Sequence, residues 1–233
     1  MTKPFKVTQP TLEESRAHFE AVRTAARDVA AEAQKKIMDA LKNVQPGQLV
    51  EGQGVYIGKY SLRDRHGKSL GKIFNAFAAP HDLTDAAGKK VTYSYLDTLK
   101  RVAELKNWNG FDGTNYLADR EIFQVLKDGS YNGGWIIPPY ELLTGVDAKG
   151  DRTTPDNLLA HKDRGAFSGT FCLEENPNPV VCPGWYWSST ENALDWSADR
   201  LTARFLDGVA HSDHKDGRKM SCRPVRLVEV AGP

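Results

Sequence analysis

The chain has 233 residues, of which 40% are hydrophobic and 26% are charged, and its formal net charge at pH 7 is +1. Such a composition is that of an ordinary globular protein that is long enough to bury a core. The near-zero net charge gives no broad attraction to nucleic acid or to an anionic membrane, and no segment approaches the roughly 20 apolar residues of a membrane-spanning helix. We therefore expect neither a nucleic-acid partner nor membrane insertion.

The first predicted element is a long N-terminal helix. Thr11 and Glu14 form a capping-box pattern, in which the Thr hydroxyl and the Glu carboxylate bind the first free backbone amides of a helix. Strong helix formers then dominate from Leu12 to Asn43, and Pro46-Gly47 ends the pattern. At about 1.5 Å per residue, the helix is on the order of 45 Å long.

An alanine-rich apolar stripe follows one face of this helix. Its members are Leu12, Phe19, Val22, Ala26, Val29 and Ala33, and then Ile37, Ala40 and Leu41. Because such a stripe needs a partner surface in water, the helix packs on its own domain, on copies of itself or on another protein. The last two alternatives make residues 1–46 an oligomerising or anchoring segment ahead of a domain at 47–233, with a coiled-coil trimer as the favoured homo-oligomer.

The middle of the chain is predicted to be scaffold. Residues 54–60 and 70–77 alternate as the two strands of a hairpin, and helices are expected at 94–106 and 118–127. The segment 107–113 between these helices is a polar and aromatic loop. It either packs on itself or contacts a ligand or a neighbouring subunit.

Three blocks near the C-terminus have the pattern of half-buried strands. They are residues 184–190, 204–208 and 222–227, in which aromatic or β-branched residues alternate with polar ones between Gly, Pro or Asp-Gly. The segments between them, 191–200 and 207–219, are polar and carry a Trp and two His residues. Their composition indicates contact with a partner rather than packing inside the protein.

Several motifs along the chain occur in the order found in one known family. They are the strand-like Gly54-Val55-Tyr56-Ile57-Gly58, the helical 92–101, the strand-to-helix segment 134–143, the segment 163–171 and the three C-terminal blocks. In this order they resemble the C-type-lectin-like domain at the C-terminus of the collagen-like bacterial adhesin family. That domain also occurs in structural proteins of tailed phages and is distantly related to the formylglycine-generating enzyme fold. The resemblance covers roughly residues 50–228.

The resemblance implies an α+β fold, with a C-type-lectin-like domain behind the N-terminal helix, that binds a partner without catalysis. In this family the C-terminal loops form the ligand-facing surface. That implies candidate ligand-binding residues at Glu191, Asn192, Asp195, Trp196, Asp199, His211, Asp213 and His214. Trp196 is expected to supply an aromatic platform, and the polar side chains are expected to bind a glycan or protein epitope by directional hydrogen bonds. The alternative is a solvated rim with Trp196 folded inward.

The N-terminus has no apolar run of the kind found in secretory signal peptides, although lectin-like recognition domains usually act outside a cell. A phage particle reconciles the two observations, because its proteins are assembled in the host cytoplasm and released by lysis. We therefore expect a virion location. The expected partners are other virion proteins and a glycan or protein of the host surface. A cytosolic protein that reuses the fold is the alternative.

Two other functions stay open. One is a purely architectural virion protein that binds only neighbouring virion subunits. The other is a cytosolic oxidase like the formylglycine-generating enzymes. Those enzymes use a closely spaced cysteine pair near the end of the domain, whereas Cys222 here lies forty or more positions after Cys172 and Cys182. We therefore expect no catalytic residue and no cofactor.

The cysteine and histidine residues give only weak signals for a disulfide or a metal site. Cys172 and Cys182 flank a proline-containing loop that a disulfide would brace, but reduced thiols are an equal alternative for a protein that folds in the cytoplasm. His211 and His214 are close in sequence, yet their spacing matches no known helical metal motif. We expect no metal site.

Overall fold

The structure is a computed structural model. It describes residues 11–63, 68–85, 87–105, 126–129, 131, 133–147, 149–174, 180–191, 199–214 and 217–230. The chain divides into two compact units, Met1–Val44 and Gln45–Pro233. Across the described ranges, no helix has both the length and the apolar character needed to cross a bilayer.

The first unit contains helix α1 (Leu12–Ala40), which leads into a 3-10 turn at Leu41–Asn43. The capping box is present, because Glu14 Oε2 accepts from the Thr11 backbone N–H at 2.7 Å and Thr11 Oγ1 accepts from the Glu14 N–H at 3.2 Å. The predicted start of the helix at Leu12 is confirmed.

The large apolar side chains of the α1 stripe are exposed. Their exposed fractions are 73% for Leu12, 71% for Phe19, 53% for Val22 and 69% for Val29. These side chains form an accessible apolar surface in the single chain.

The described strands of the second unit form two sheets. In the first sheet the order is β1 (Leu49–Val50), β2 (Gly54–Arg63), β3 (Ser69–Ala78) and β8 (Val225–Glu229), with antiparallel pairing throughout. In the second sheet the order is β6 (Ala210–His214), β5 (Asp199–Arg204), β4 (Val181–Glu191) and β7 (Lys219–Ser221). Only the β4–β7 pair of these strands is parallel. With the helices, this arrangement confirms an α+β fold behind an N-terminal helix.

Short helical segments accompany the sheets. They include α2 (Tyr95–Ala103), α3 (Tyr140–Thr144), α4 (Leu158–His161) and a 3-10 turn at Gly165–Phe167. Helix α2 begins after Ser94, whose side chain accepts a hydrogen bond from the Asp97 N–H. The predicted hairpin is also present and is longer than expected, since β2 and β3 have ten residues each.

Two predictions of the middle region fall mostly outside the described residues. Of the helix expected at 118–127, only residues 126 and 127 are described, and they are helical. The aromatic loop at 107–113 lies outside the described residues entirely.

A buried ion pair joins distant segments of the core. Arg223 Nε donates to Asp82 Oδ1 at 2.7 Å, and the Tyr186 hydroxyl donates to Asp82 Oδ2 at 2.8 Å. The same guanidinium donates to the Thr170 carbonyl at 3.0 Å and lies 4.0 Å from the centre of the Phe171 ring. Both carboxylate oxygens and the guanidinium are paired, so the buried charges are compensated. The hydrogen bond from Tyr186 holds β4 against the segment that contains Asp82.

Candidate functional site

The structure places the predicted ligand-binding residues on strands rather than on loops where it describes them. Asp199 is the first residue of β5, His211, Asp213 and His214 belong to β6, and the backbone of Glu191 ends β4. Asn192, Asp195 and Trp196 lie outside the described residues.

The loop assignment was therefore wrong for the β5 and β6 residues. The reason is that β5 and β6 pair without interruption from Asp199 opposite His214 to Ala203 opposite Ala210. Polar side chains thus lie on a regular sheet, and the polar composition of 210–214 reflects a strand next to solvent. Sequence alternation alone does not distinguish such an edge strand from a turn.

His211 and Asp213 are brought together by this pairing. They are two residues apart on one strand, so their side chains point to the same face of the sheet, opposite Thr202 and Arg200. His211 Nδ1 lies 3.5 Å from Asp213 Oδ2 and 2.5 Å from the Ser212 carbonyl oxygen. Asp199 and His214 face each other across the two strands, one position from this pair.

Trp185 of β4 is the aromatic residue next to this pair, and sequence reasoning did not select it. The Trp185 and His211 rings meet edge-to-face with their centres 5.9 Å apart. The Arg204 guanidinium lies over the Trp185 ring, 5.8 Å from its centre. Trp185 is partly buried, whereas Trp187 on the same face of β4 is fully buried. Trp185 lies opposite Arg204 on the neighbouring strand β5. The sequence indicates this pair only once the register of β4 against β5 is known.

Arg204 is held by Asp207 in the turn after β5. Arg204 Nε donates to Asp207 Oδ1 at 2.9 Å, and a second guanidinium nitrogen donates to Oδ2. Asp207 Oδ1 also accepts from the Val209 N–H at 3.2 Å. The hydrogen bonds from Arg204 are the main reason that the pKa of Asp207 is lowered. Leu206 and Val209 in the same turn expose apolar side chains.

Asp213 is the buried acid of the site. Arg218 Nε lies 3.2 Å from Asp213 Oδ1, and the Asp213 side chain is only 9% exposed. Burial raises the pKa of Asp213, and the neighbouring Arg218 and His211 oppose that shift. We name Trp185, Arg204, Asp207, His211, Asp213 and Arg218 the Trp185 cluster.

The cluster combines an aromatic surface with charged groups that make directional hydrogen bonds. The Arg204–Asp207 and Arg218–Asp213 ion pairs hold these side chains in place, and His211 exposes 51% of its side chain. Such an arrangement suits noncovalent recognition of a polar ligand.

The three cysteines carry free thiols. Burial raises the pKa of each thiol, most strongly for the fully buried Cys222. Over the part of the chain that the structure describes, no group of three or more His, Cys, Asp or Glu side chains is placed to hold a metal ion.

Two further titratable groups are perturbed by burial outside the cluster. Burial raises the pKa of Glu141 at the start of α3 to about 7, against the opposing effect of Arg63. Burial lowers the pKa of His161, whose Nε2 lies 3.3 Å from Asp156 Oδ1. Neither group contacts the Trp185 cluster through any described hydrogen bond.

Comparison of the chain with models of protein families and with curated proteins finds no match. The chemistry of the Trp185 cluster is therefore the basis for assigning a function.

Proposed function

We propose that the chain is a non-catalytic recognition protein whose C-type-lectin-like domain, residues 47–233, binds a glycan or protein epitope on a host surface. The observation that carries this proposal is the Trp185 cluster. A partly exposed indole next to fixed Arg, His and Asp side chains offers apolar contact area together with hydrogen bonds of defined direction. Recognition surfaces concentrate their binding energy in aromatic and Arg residues of this kind.

The order of elements supports the lectin-like part of the proposal. Strand β2 begins at Gly54, helix α2 overlaps the segment 92–101, and the segment 134–143 runs into α3. Of the C-terminal blocks, 184–190 lies in β4 and 222–227 runs into β8, whereas 204–208 contains only the last residue of β5 and then a turn. The elements other than block 204–208 are of the kind that the resemblance leads us to expect.

The rigidity of the cluster supports a binding role. Tyr186, next to Trp185 on β4, is fixed from the opposite face of the sheet by its hydrogen bond to Asp82. Arg204 is held by Asp207, and His211 is held by the Ser212 carbonyl. Side chains that are ordered before binding lose little conformational entropy when a ligand arrives.

The proposed setting is the virion of a tailed phage, as a tail, fibre or decoration protein that is assembled in the host cytoplasm. The exposed apolar stripe of α1 supports a second attachment in addition to the ligand. We assign this stripe to copies of the chain, with a trimer favoured, or to other virion proteins.

The stripe also favours a second candidate function, in which the protein is purely architectural. In that case the accessible side chains of Leu12, Phe19, Val22 and Val29 bind virion neighbours, and the Trp185 cluster has no outside partner. The two candidates differ in what happens when the cluster is altered.

A binding experiment with cell-envelope fractions of candidate hosts separates the two functions. We expect the purified chain to sediment with the envelope of a susceptible host, and Trp185→Ala and His211→Ala to reduce the bound fraction by tenfold or more. The matched control is Asp151→Asn, which alters an exposed carboxylate in the turn at 147–152. Equal binding of all four proteins contradicts the recognition function and leaves the architectural one.

A further inference from the structure

Helix α1 exposes an apolar stripe that a partner surface would cover. Four of its large side chains are more than half exposed in the single chain, namely Leu12, Phe19, Val22 and Val29. Ala26 lies between them on the same stripe and is exposed as well. A helix of 29 residues with such a stripe gains free energy when the stripe is removed from water. The sizes and charges along α1 indicate which partner fits and in which orientation.

The sizes of the stripe residues favour an antiparallel copy of α1 over a parallel one. In a parallel pair in register, Phe19 meets the same Phe of the other copy and, seven residues later, Ala26 meets the same Ala. The separation of two helices depends on the side chains at the contact, so one distance fits both layers poorly. In an antiparallel pair, Ala26 faces Val22 or Val29 of the other copy, depending on the register. Large then packs against small, and one separation suits the whole contact.

The charges along α1 favour the same orientation. Residues 12–20 contain three Glu and one Arg, for a formal charge of −2, whereas residues 32–42 contain three Lys, one Glu and one Asp, for a formal charge of +1. A parallel pair brings the two acidic ends together, and an antiparallel pair brings each acidic end next to a basic one. These side chains are exposed, so their charges select the orientation while the apolar stripe supplies most of the affinity.

We propose that α1 binds a second copy of itself as an antiparallel pair with two-fold symmetry. This inference rests on the assembly through α1 proposed above and gives that assembly a copy number and an orientation. The parallel trimer expected from the sequence is the direct alternative. Because the second unit begins at Gln45, soon after α1 ends, an antiparallel pair attaches the two recognition domains at opposite ends of the helices. The assembly is then bivalent for its ligand.

Spin-label distances in the full chain test the orientation. Cys172→Ser removes the partly exposed native thiol, since Cys182 and Cys222 are buried. On this background, Glu13→Cys carries a label near the start of α1 and Thr24→Cys carries one near its middle, both at exposed positions. Double electron–electron resonance then measures the distance between identical labels on two copies.

The two label positions give different distances in the two orientations. An antiparallel pair separates the labels at position 13 by about 35–45 Å and keeps the labels at position 24 within about 25 Å, because each residue advances about 1.5 Å along the helix. A parallel pair or trimer keeps both sets of labels within about 25 Å. Light scattering of the unaltered chain is expected to give twice the mass of one chain.

Two variants test whether the stripe makes the contact. Val22→Asp places a charge on the stripe and is expected to abolish the short distance at position 24 and to give the mass of one chain. Ala31→Asp is the matched control, because nine residues at about 100° each place position 31 on the opposite face of α1. It loses at least as much helix propensity as Val22→Asp does, yet it is expected to keep the pair.

Each other outcome overturns the antiparallel pair. A short distance at both label positions refutes the orientation, and a threefold mass selects the parallel trimer. A monomeric unaltered chain assigns the stripe to a different protein. A pair that Val22→Asp retains lies on another surface. Envelope binding through the Trp185 cluster is measured separately, so a monomeric chain that still binds the envelope refutes the pair and leaves the recognition function in place.

Discussion

Replacing Glu141 by Gln tests whether burial of this carboxyl group destabilises the protein at high pH. Burial raises the pKa of Glu141 from 4.5 to about 7. In the unfolded chain the group loses its proton near its ordinary value, so between these two pH values the folded state binds more protons. The free energy of unfolding therefore falls as the pH rises through this window.

The size of the effect follows from the shift. The difference of about 2.5 pKa units corresponds to roughly 3.4 kcal/mol at 1.36 kcal/mol per unit. Because the side chain is only partly buried, solvent screening reduces this to about 2–3 kcal/mol. A glutamine stays neutral at every pH, so Glu141→Gln is expected to match the unaltered chain near pH 4.5 and to exceed its stability by about 2–3 kcal/mol near pH 8.5.

Urea unfolding at both pH values measures the difference directly. Glu51→Gln is the matched control, since Glu51 is an exposed carboxylate in the turn between β1 and β2. His161 is present in every variant and cancels in the comparison. A stability difference for Glu141→Gln that is equal at the two pH values, or a loss of stability near pH 8.5, refutes the reasoning.

Three further outcomes are expected. Asp82→Ala leaves the buried Arg223 guanidinium without its carboxylate and lowers the free energy of unfolding by about 3–5 kcal/mol in urea titration; a loss under about 1 kcal/mol contradicts a buried ion pair. Gly165→Ala is expected to lower the free energy of unfolding by at least about 1 kcal/mol more than Gly150→Ala does. Both glycines have positive φ, but of the two only Gly165 would place an added Cβ against a backbone oxygen, at 2.4 Å. Equal losses for the two variants rule out this close approach. Phe19→Asp lowers the oligomer mass in light scattering, and a monomeric unaltered chain argues against self-association through α1.

The Asp82 network connects the core of the domain to its candidate binding surface. Tyr186 donates to Asp82 and accepts from the Cys172 N–H at 2.8 Å, and its ring packs on Phe205 with the ring centres 4.3 Å apart. Trp185 precedes Tyr186 on the same strand, so its position depends on these core contacts. Disrupting the network is therefore expected to weaken ligand binding as well as stability.

The two ends of the chain have separate roles in the proposed function. Helix α1 presents apolar surface, while the Trp185 cluster presents hydrogen-bonding groups around one indole. An attachment surface benefits from apolar area that is removed from water. A recognition surface gains its selectivity from placed donors and acceptors, because an unmatched ligand leaves them unsatisfied.

Much of the secondary structure was predictable because its signals are local. The capping box of Thr11 and Glu14 determines where α1 begins, and Ser94 determines where α2 begins. Strong alternation identified the β2–β3 hairpin and the strands around Trp187 and Val225. In each case, residues within a few positions of one another carry the information.

The candidate site was decided by tertiary structure. The polar composition of β6 resembles a turn, and only its pairing with β5 makes His211 and Asp213 strand residues. Trp185 became a site residue through contacts with His211 and Arg204, and Asp213 became a buried acid through Arg218. The raised pKa of Glu141 likewise depends on its surroundings. Burial, cross-strand contact and local charge arise from residues far apart in the chain, and the periodicity of a single sequence does not encode which distant residues meet.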